Sequence, residues 1–176
     1  MTMSPMKRAE VRERRNAVMA TPSDLDAQAA PEVGGAMNVV LADVFALYVK
    51  TKNFHWHMTG PHFRDYHLLL DEQAGQIFDM TDDIAERARK ISGTTLRSIS
   101  DISKHQRLAD NNEESLSPEE MLSEVRADSL ELTRFLRQTH EICDKHNDVA
   151  TASLIENWID QTERRTWFLS ETLTNL

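Results

Sequence analysis

The chain is poor in the residues that build disulfide scaffolds, tight turns and sheets. Its 176 residues include one cysteine, five glycines and five prolines. The single cysteine, Cys143, excludes an intramolecular disulfide framework and any zinc site made of several cysteines, and it is typical of a reducing compartment. Because no stretch alternates apolar and polar residues over any length, the sparse helix breakers indicate a helical protein.

The chain also lacks an evident membrane or export segment. No uninterrupted apolar run approaches the ~18 residues of a membrane span, and no apolar core follows the basic start as it would in a signal peptide. These absences predict a soluble cytoplasmic protein without a membrane partner.

Acidic charge is the first property that the chain has in excess. Aspartate and glutamate number 29 against 20 lysines and arginines, and the net charge is −9. This balance argues against a protein that coats nucleic acid over its whole surface, and it suits one that attracts metal cations. The length corresponds to a single domain with a substantial core.

The first 33 residues differ from the rest. They contain Pro5, Pro22 and Pro31 and little apolar periodicity, so we predict a tail at 1–33 and a helical domain at 34–176. The segment KRAEVRERR sets five cations against two glutamates, and the cations are Lys7, Arg8, Arg12, Arg14 and Arg15. Two interpretations stay open: a solvated, partly helical extension, or a basic arm that binds the phosphates of double-stranded DNA.

The remainder of the chain carries the apolar spacing of three and four residues that is typical of amphipathic helices. Stop signals and a capping box at Ser117 divide it. We predict four long helices, near residues 37–59, 62–91, 117–145 and 149–173. Two tight turns and a long link, which contains a short amphipathic piece, predict an antiparallel four-helix bundle. The side chains expected in its core include Phe63 and Trp167.

Five metal-type side chains follow one another across the first turn and the second helix. They are His55, His67, Asp71, Asp82 and Glu86. At about 100° per residue, the last four share one face of the helix. Along the axis, however, Asp71 and Asp82 are ~16 Å apart, whereas metal bonds to nitrogen or oxygen are on the order of 2 Å. No single ion can contact both pairs, so a complete site requires a second copy of the helix.

The face with these residues differs from the face expected in the subunit's own core. The apolar seam of the same helix lies about 120° around it. Gly75, Phe78 and Ala85 alternate with the carboxylates, a combination that a solvated face does not normally show. We interpret this face as a subunit interface, where an isologous two-fold pairing would bring one half of the ligand set against the other half on a second copy.

The ligand types indicate which metals the site would take. Imidazole and carboxylate without thiolate suit iron or manganese, with zinc as a competing ion. A single histidine or acid on a helix usually has no such role, so the interpretation depends on the joint spacing. His57 points about 200° away from His55, which lies on the buried stripe, and we choose His55. The chain contains no Glu-x-x-His, the motif of di-iron centres inside a bundle.

The chain closely resembles the ferroxidase motif of the Dps family of bacterial mini-ferritins in the block formed by His55-Trp56, His67, Asp71, Asp82 and Glu86. The segments SGTTLRSIS, QRLADNNEE and DVATASLIENWIDQTERRTWFL are also similar to that family, and the likeness covers nearly all of residues 34–173. The resemblance implies a ferritin-like bundle with a short helix in the long link, assembled as a hollow dodecameric shell. It also implies iron sites at two-fold interfaces, with the two histidines and Asp71 from one chain and Asp82 and Glu86 from another.

The same resemblance implies that the protein is a ferroxidase. It would oxidise Fe(II) with hydrogen peroxide, store Fe(III) as a mineral and protect DNA from oxidative damage. Trp56 is either an alternative electron donor or a packing residue at the interface. The alternative function is compaction of nucleoid DNA by the basic arm, which only the tail supports and the net charge opposes. The expected location is the cytoplasm, in association with the nucleoid where DNA is bound.

Overall fold

A computed structural model describes residues 4–18 and 21–174, with side chains at 4–14 and 21–174. These residues contain no strand, and their helices are α1 (Pro5–Val18), α2 (Ala29–His57), α3 (Phe63–Lys90), α4 (Ile99–His105), α5 (Pro118–Lys145) and α6 (Val149–Thr172). The four long helices α2, α3, α5 and α6 form the predicted antiparallel bundle. Helix α2 packs mainly on α3 and α5, and α5 packs on α6. The short helix α4 lies in the long link and packs on α2.

Local sequence explains where the long helices begin and end. The Ser117 hydroxyl accepts a hydrogen bond from the N–H of Glu120, whose carboxylate accepts one from the N–H of Ser117. This capping box, with Pro118 at the first helical position, confirms the predicted start of α5. Helix α2 ends at His57, shortly before Gly60, whose φ of 97° lies in the left-handed region that favours glycine.

Two side chains predicted to be buried are exposed. Phe63 is 44% exposed because it is the first residue of α3, and its ring packs beside His67 at the end of the bundle, 4.9 Å between centroids. Trp167 is 60% exposed, since it lies about 200° around α6 from the fully buried Leu169 and cannot face the same core. The rest of the predicted α3 seam is buried: Leu70, Ala74, Ile77, Ile84, Ala88 and Ile91.

Helix α2 corrects the expectation about membrane-length segments. By length and composition alone, it is long and apolar enough to cross a membrane. Half of its most apolar stretch is buried inside the fold, where α2 packs against α3, α4 and α5. A helix with neighbours on several sides is apolar around most of its circumference, so a core helix and a membrane span have similar compositions. Polar residues such as Asn38, Asp43 and Lys50 interrupt the apolar sequence of α2, so it contains no uninterrupted apolar run of membrane length.

A buried carboxylate fixes the long link between α3 and α5. Asp43, in the middle of α2, is fully buried and accepts hydrogen bonds from the backbone N–H groups of Arg107 and Leu108 at 2.5 and 3.1 Å. The Arg107 guanidinium adds two more at 2.8 and 2.6 Å and lies 3.5 Å over the ring of Phe135. Because an unpaired buried carboxylate would be strongly destabilising, these contacts hold the link against the bundle.

The segment before the bundle contains its own helix and a connection that we call the strap, residues 21–28. Most described side chains of α1 are exposed. The strap contacts the bundle at two points, one near each end of the strap. The Thr21 hydroxyl donates to the Arg89 carbonyl at 3.1 Å, and Asp26 lies 3.0 Å from His146. The domain boundary between residues 33 and 34 stays a prediction, and α2 already begins at Ala29.

Candidate metal centre

The structure brings His55, His67 and Asp71 together where the end of α2 meets the start of α3. His55 lies in the last turn of α2 and is 8% exposed. The short connection at residues 58–62 folds α3 back on α2, which places His67 directly beside it. The two imidazole rings are stacked, with centroids 3.7 Å apart and planes 22° from parallel. Two histidines from different helices therefore present their rings at one point.

Each of these histidines is hydrogen bonded to the backbone of the other. His55 Nδ1 lies 2.7 Å from the carbonyl oxygen of His67, and His67 Nδ1 lies 2.8 Å from the carbonyl oxygen of His55. Since a carbonyl oxygen can only accept a hydrogen bond, Nδ1 carries the proton in both rings. In the neutral imidazoles the free lone pair is then on Nε2, the atom available to a metal, and the backbone fixes the ring orientation.

Asp71 lies one helical turn beyond His67 and completes this group, the histidine half-site. Its Oδ1 is 3.7 Å from His55 Nε2, a separation that one ion bonded to both atoms at about 2.1 Å permits. Asp71 Oδ1 also accepts a hydrogen bond from Lys52 Nζ at 2.7 Å. That hydrogen bond lowers the pKa of Asp71, against the opposing effect of burial, so the carboxylate is ionised at neutral pH.

Asp82 and Glu86, the acidic half-site, lie toward the other end of α3 as the helical spacing predicts. Both are exposed, and Glu86 pairs with Lys90 at 3.1 Å along the helix. An exposed pair of this kind is weak, so Lys90 leaves Glu86 accessible to a metal. Among the residues that the structure describes, no group of three His, Cys, Asp or Glu side chains could hold a metal ion within one chain. One subunit thus presents two separated halves.

The face of α3 between the half-sites carries an unobstructed glycine and an exposed aromatic ring. A Cβ added to Gly75 would meet nothing within 4 Å, so packing within the chain does not require glycine there. Phe78 is 49% exposed although Tyr48 lies beside it, at 5.0 Å between ring centroids. Leu68 and Trp56 are 46% and 63% exposed on the same pair of helices. Exposed large apolar side chains and an unobstructed glycine on these two helices suit close contact with another protein surface.

The remaining predicted site residues are accessible. Trp56 points away from the core, with Lys52 Nζ 5.9 Å from its ring centroid, and both interpretations of Trp56 stay predictions. The basic residues of the arm lie on α1, where the exposed ones are Lys7, Arg8, Arg12 and Arg14. The side chain of Arg15 lies outside the described residues.

Sequence reasoning missed Lys52. It precedes His55 by three residues, a spacing that puts both side chains on one face of α2, and an acidic ligand nearby would attract it. A search for cations at helical spacing from the proposed ligands would have found it. The reciprocal histidine contacts had no such signal, because their acceptors are backbone carbonyls that any residue carries.

With this geometry established, comparison with known proteins assigns the family. Residues 35–176 match the family model of the ferritin-like domain. A DNA protection during starvation protein from Agrobacterium fabrum is 30% identical over 149 residues, covering 85% of this chain and 92% of that protein. The chain belongs to the Dps family. The predicted family and the all-α, ferritin-like fold are therefore confirmed.

Other members of the Dps family resemble this chain in sequence and in fold. DNA protection during starvation protein 1 from Deinococcus radiodurans is 28% identical over 129 residues, which are 73% of this chain and 62% of that protein. The crystal structure of Dps from Thermosynechococcus elongatus superposes with a TM-score of 0.81 at 28% identity, covering 85% of this chain and 94% of the other.

A more distant neighbour is a Dps protein from Vibrio cholerae O1, described as a member of a broad superfamily of ferritin-like diiron-carboxylate proteins. It superposes with a TM-score of 0.82 at 23% identity, covering 88% of this chain and 98% of the other. At that identity the likeness concerns the fold alone.

Proposed function

We propose that the protein is a ferroxidase that oxidises Fe²⁺ at sites shared between two subunits and stores the ferric product. The observation that carries the proposal is the pair of half-sites, whose Asp71 and Asp82 lie ~16 Å apart along α3 with the unobstructed Gly75 and the exposed Phe78 between them. Two such helices packed antiparallel about a two-fold axis would join each histidine half-site to an acidic half-site and produce two equivalent centres.

The side chains have distinct roles in this reaction. The Nε2 lone pairs of His55 and His67 bind Fe²⁺, and the backbone keeps them in the tautomer that binds. The carboxylates of Asp71, Asp82 and Glu86 favour the higher charge of Fe³⁺. With peroxide as the oxidant, two Fe²⁺ each lose one electron while H₂O₂ and two protons become two waters. Iron is the substrate, and manganese or zinc would compete for the same ligands.

Assembly into a closed shell is part of the proposal. The exposed apolar residues around Gly75 would be covered in a two-fold dimer, and repetition of such dimers in a dodecameric shell would enclose space for the mineral. The match to the ferritin-like domain supports iron chemistry, and the names of the starvation-protection relatives support DNA protection. We place the protein in the cytoplasm.

Complementation between two damaged chains tests the shared site. One chain carries His55→Ala and His67→Ala, and the other carries Asp82→Ala and Glu86→Ala. Each alone should oxidise Fe²⁺ no faster than buffer, with peroxide or with oxygen. After the two are dissociated and reassembled together, half the dimers are mixed and each mixed dimer has one intact site, so about a quarter of the wild-type rate should return. A mixture as inactive as its components would refute a site shared in this way.

A second candidate function, contact with DNA, is favoured by the charge distribution on α1. With Lys7 taken as zero, the four described basic residues lie within about −20° to 140° around the helix, and Glu10 and Glu13 lie within about −120° to −60°. Such a basic sector suits phosphate contacts in double-stranded DNA.

Removal of residues 2–15 should abolish retardation of DNA and leave Fe²⁺ oxidation unchanged. A full-length variant with Gln in place of Lys7, Arg8, Arg12 and Arg14 controls for the loss of the helix. Undiminished retardation in both variants would contradict the role of the arm.

A further inference from the structure

The turn between α5 and α6 contains a histidine enclosed by two carboxylates from other parts of the chain. His146 is 7% exposed. Its Nδ1 lies 3.0 Å from Asp26 Oδ2 on the strap, and its Nε2 lies 3.0 Å from Glu32 Oε2 in the first turn of α2. The ring therefore joins the α5–α6 turn to the strap and to the start of α2, more than 110 residues earlier in the chain.

Both contacts exist together only if the ring is doubly protonated. An ionised carboxylate can accept hydrogen bonds but cannot donate them, so each ring nitrogen must carry a hydrogen. Asp26 is held in its acceptor state, because its Oδ1 accepts from the N–H groups of Gln28 and Ala29 at 2.7 and 3.0 Å. The hydrogen bond from His146 is the main cause that lowers the pKa of Asp26. His146 is thus an imidazolium between two anions.

We propose that His146 is a pH-responsive clasp that fastens the strap, at Asp26, to the end of the bundle. Loss of one proton leaves a nitrogen lone pair facing a carboxylate oxygen, and one of the two contacts becomes repulsive. Glu32 still has a cation in that state, because it also accepts from Lys145 Nζ at 2.6 Å. The contact that depends on His146 is the one to Asp26, on the strap.

The groups around His146 determine whether the clasp opens as the pH rises or as it falls. The hydrogen bonds to Asp26 and Glu32 raise the pKa of His146 above 6.5, against the opposing effect of burial. A raised pKa means that the contact is complete below pH 6.5 and is lost as the pH rises through the raised value. The other ionisable groups at this turn are Cys143, Asp144 and the Arg87–Asp148 ion pair, 2.6 Å apart. Burial raises the pKa of Cys143 to about 12, so the thiol stays neutral throughout.

The strap has a second attachment at Thr21, which does not involve His146. Thr21 is hydrogen bonded to the Arg89 carbonyl and to the Ser92 hydroxyl, near the end of α3. The strap therefore runs from the α5–α6 turn to the neighbourhood of the acidic half-site. When the clasp opens, the strap keeps its attachment at Thr21 and becomes mobile around Asp26.

A nitroxide label on the strap would measure this motion in the full-length protein. Ala27 is exposed and adjacent to Asp26, and the native thiol of Cys143 is fully buried, so Ala27→Cys gives a single reactive thiol. We expect the electron paramagnetic resonance spectrum to be immobilised near pH 5.5 and to become mobile as the pH rises above 6.5. His146→Gln should be mobile throughout that range, and Asp26→Asn should move the midpoint to lower pH.

The matched control is His140→Gln. His140 also lies between two carboxylates, 3.2 Å from Asp144 and 3.2 Å from Glu156, but those residues belong to α5 and α6. This variant should keep the wild-type transition. A transition that survives His146→Gln, or a wild-type label whose mobility is constant with pH, would overturn the clasp.

Discussion

The histidines at the two ends of the bundle differ in what accepts their protons. His55 and His67 each donate Nδ1–H to a backbone carbonyl and keep Nε2 free, whereas both nitrogens of His146 face carboxylates. A neutral acceptor needs only one proton on the ring, and two anionic acceptors need both. The same side chain is therefore prepared for a metal at one end and for positive charge at the other. The acceptors, more than burial, make this difference.

The largest expected effect is on the rate of Fe²⁺ oxidation, which should depend on the histidine pair at one end of the bundle and hardly on His146 at the other. His55→Ala with His67→Ala removes both imidazole ligands and should lower the rate of Fe²⁺ oxidation at least ~100-fold, since even outer-shell changes cost metal sites 10- to 100-fold. His146→Gln should change that rate less than about twofold. The measurement is the absorbance of the ferric product with peroxide and with oxygen. Equal rates for the ligand variant and the wild type would refute the assignment of the site.

A smaller effect is expected from a change at Gly75 that weakens the contact between two chains. Gly75→Leu adds a side chain where a Cβ would meet nothing within the subunit, and it would obstruct an approaching helix, so we expect about a tenfold weaker dimer and a parallel loss of oxidation at low protein concentration. The clasp should keep its pH response, because it lies within one chain. Gly35→Leu is the matched control, since a Cβ there also meets nothing within 4 Å. Sedimentation would measure the dissociation of both variants. Identical dissociation of the two would argue against the interface at Gly75.

The smallest effect tests the cation that competes with the metal at the histidine half-site. Lys52→Met removes the hydrogen bond to Asp71 while retaining a long side chain. Because the pair is partly exposed and weak, we expect Zn²⁺, used as a redox-inert probe, to bind only about two- to fivefold more tightly. Lys90→Met, beside Glu86, is the corresponding change at the acidic half-site. Weaker Zn²⁺ binding in Lys52→Met would mean that the lysine supports the site instead of competing for it.

The parts of the molecule governed by local chemistry could be predicted from the sequence. The capping box at Ser117, the stop before Gly60 and the shared helical face of His67, Asp71, Asp82 and Glu86 depend on residues a few turns apart. Periodicity alone was a weaker guide to burial. It placed Phe63 and Trp167 in the core, although one begins a helix and the other points away from the buried side of α6.

Contacts between distant segments could not be predicted. Asp43 binds Arg107 across 64 residues, and His146 meets Asp26 across 120. Any carboxylate could have been the partner of either cation, and only the folded arrangement of the helices selects one. The orientation of the histidine pair depends on carbonyl groups, which the amino-acid sequence does not distinguish. Sequence therefore indicated which residues could bind metal, and the fold supplied their tautomers and the competing Lys52.

The buried thiol of Cys143 has a consequence for the proposed oxidation of Fe²⁺ by peroxide. Oxidation of cysteine proceeds through the thiolate, and with a pKa of about 12 only about one thiol in 10⁵ is ionised at pH 7. The side chain is also fully buried, so the most oxidisable residue type in the chain is chemically silent. Oxidation should then appear first on exposed Met6 and Trp56, as sulfoxide and oxidised indole, while the side chains in the core of each subunit are not oxidised.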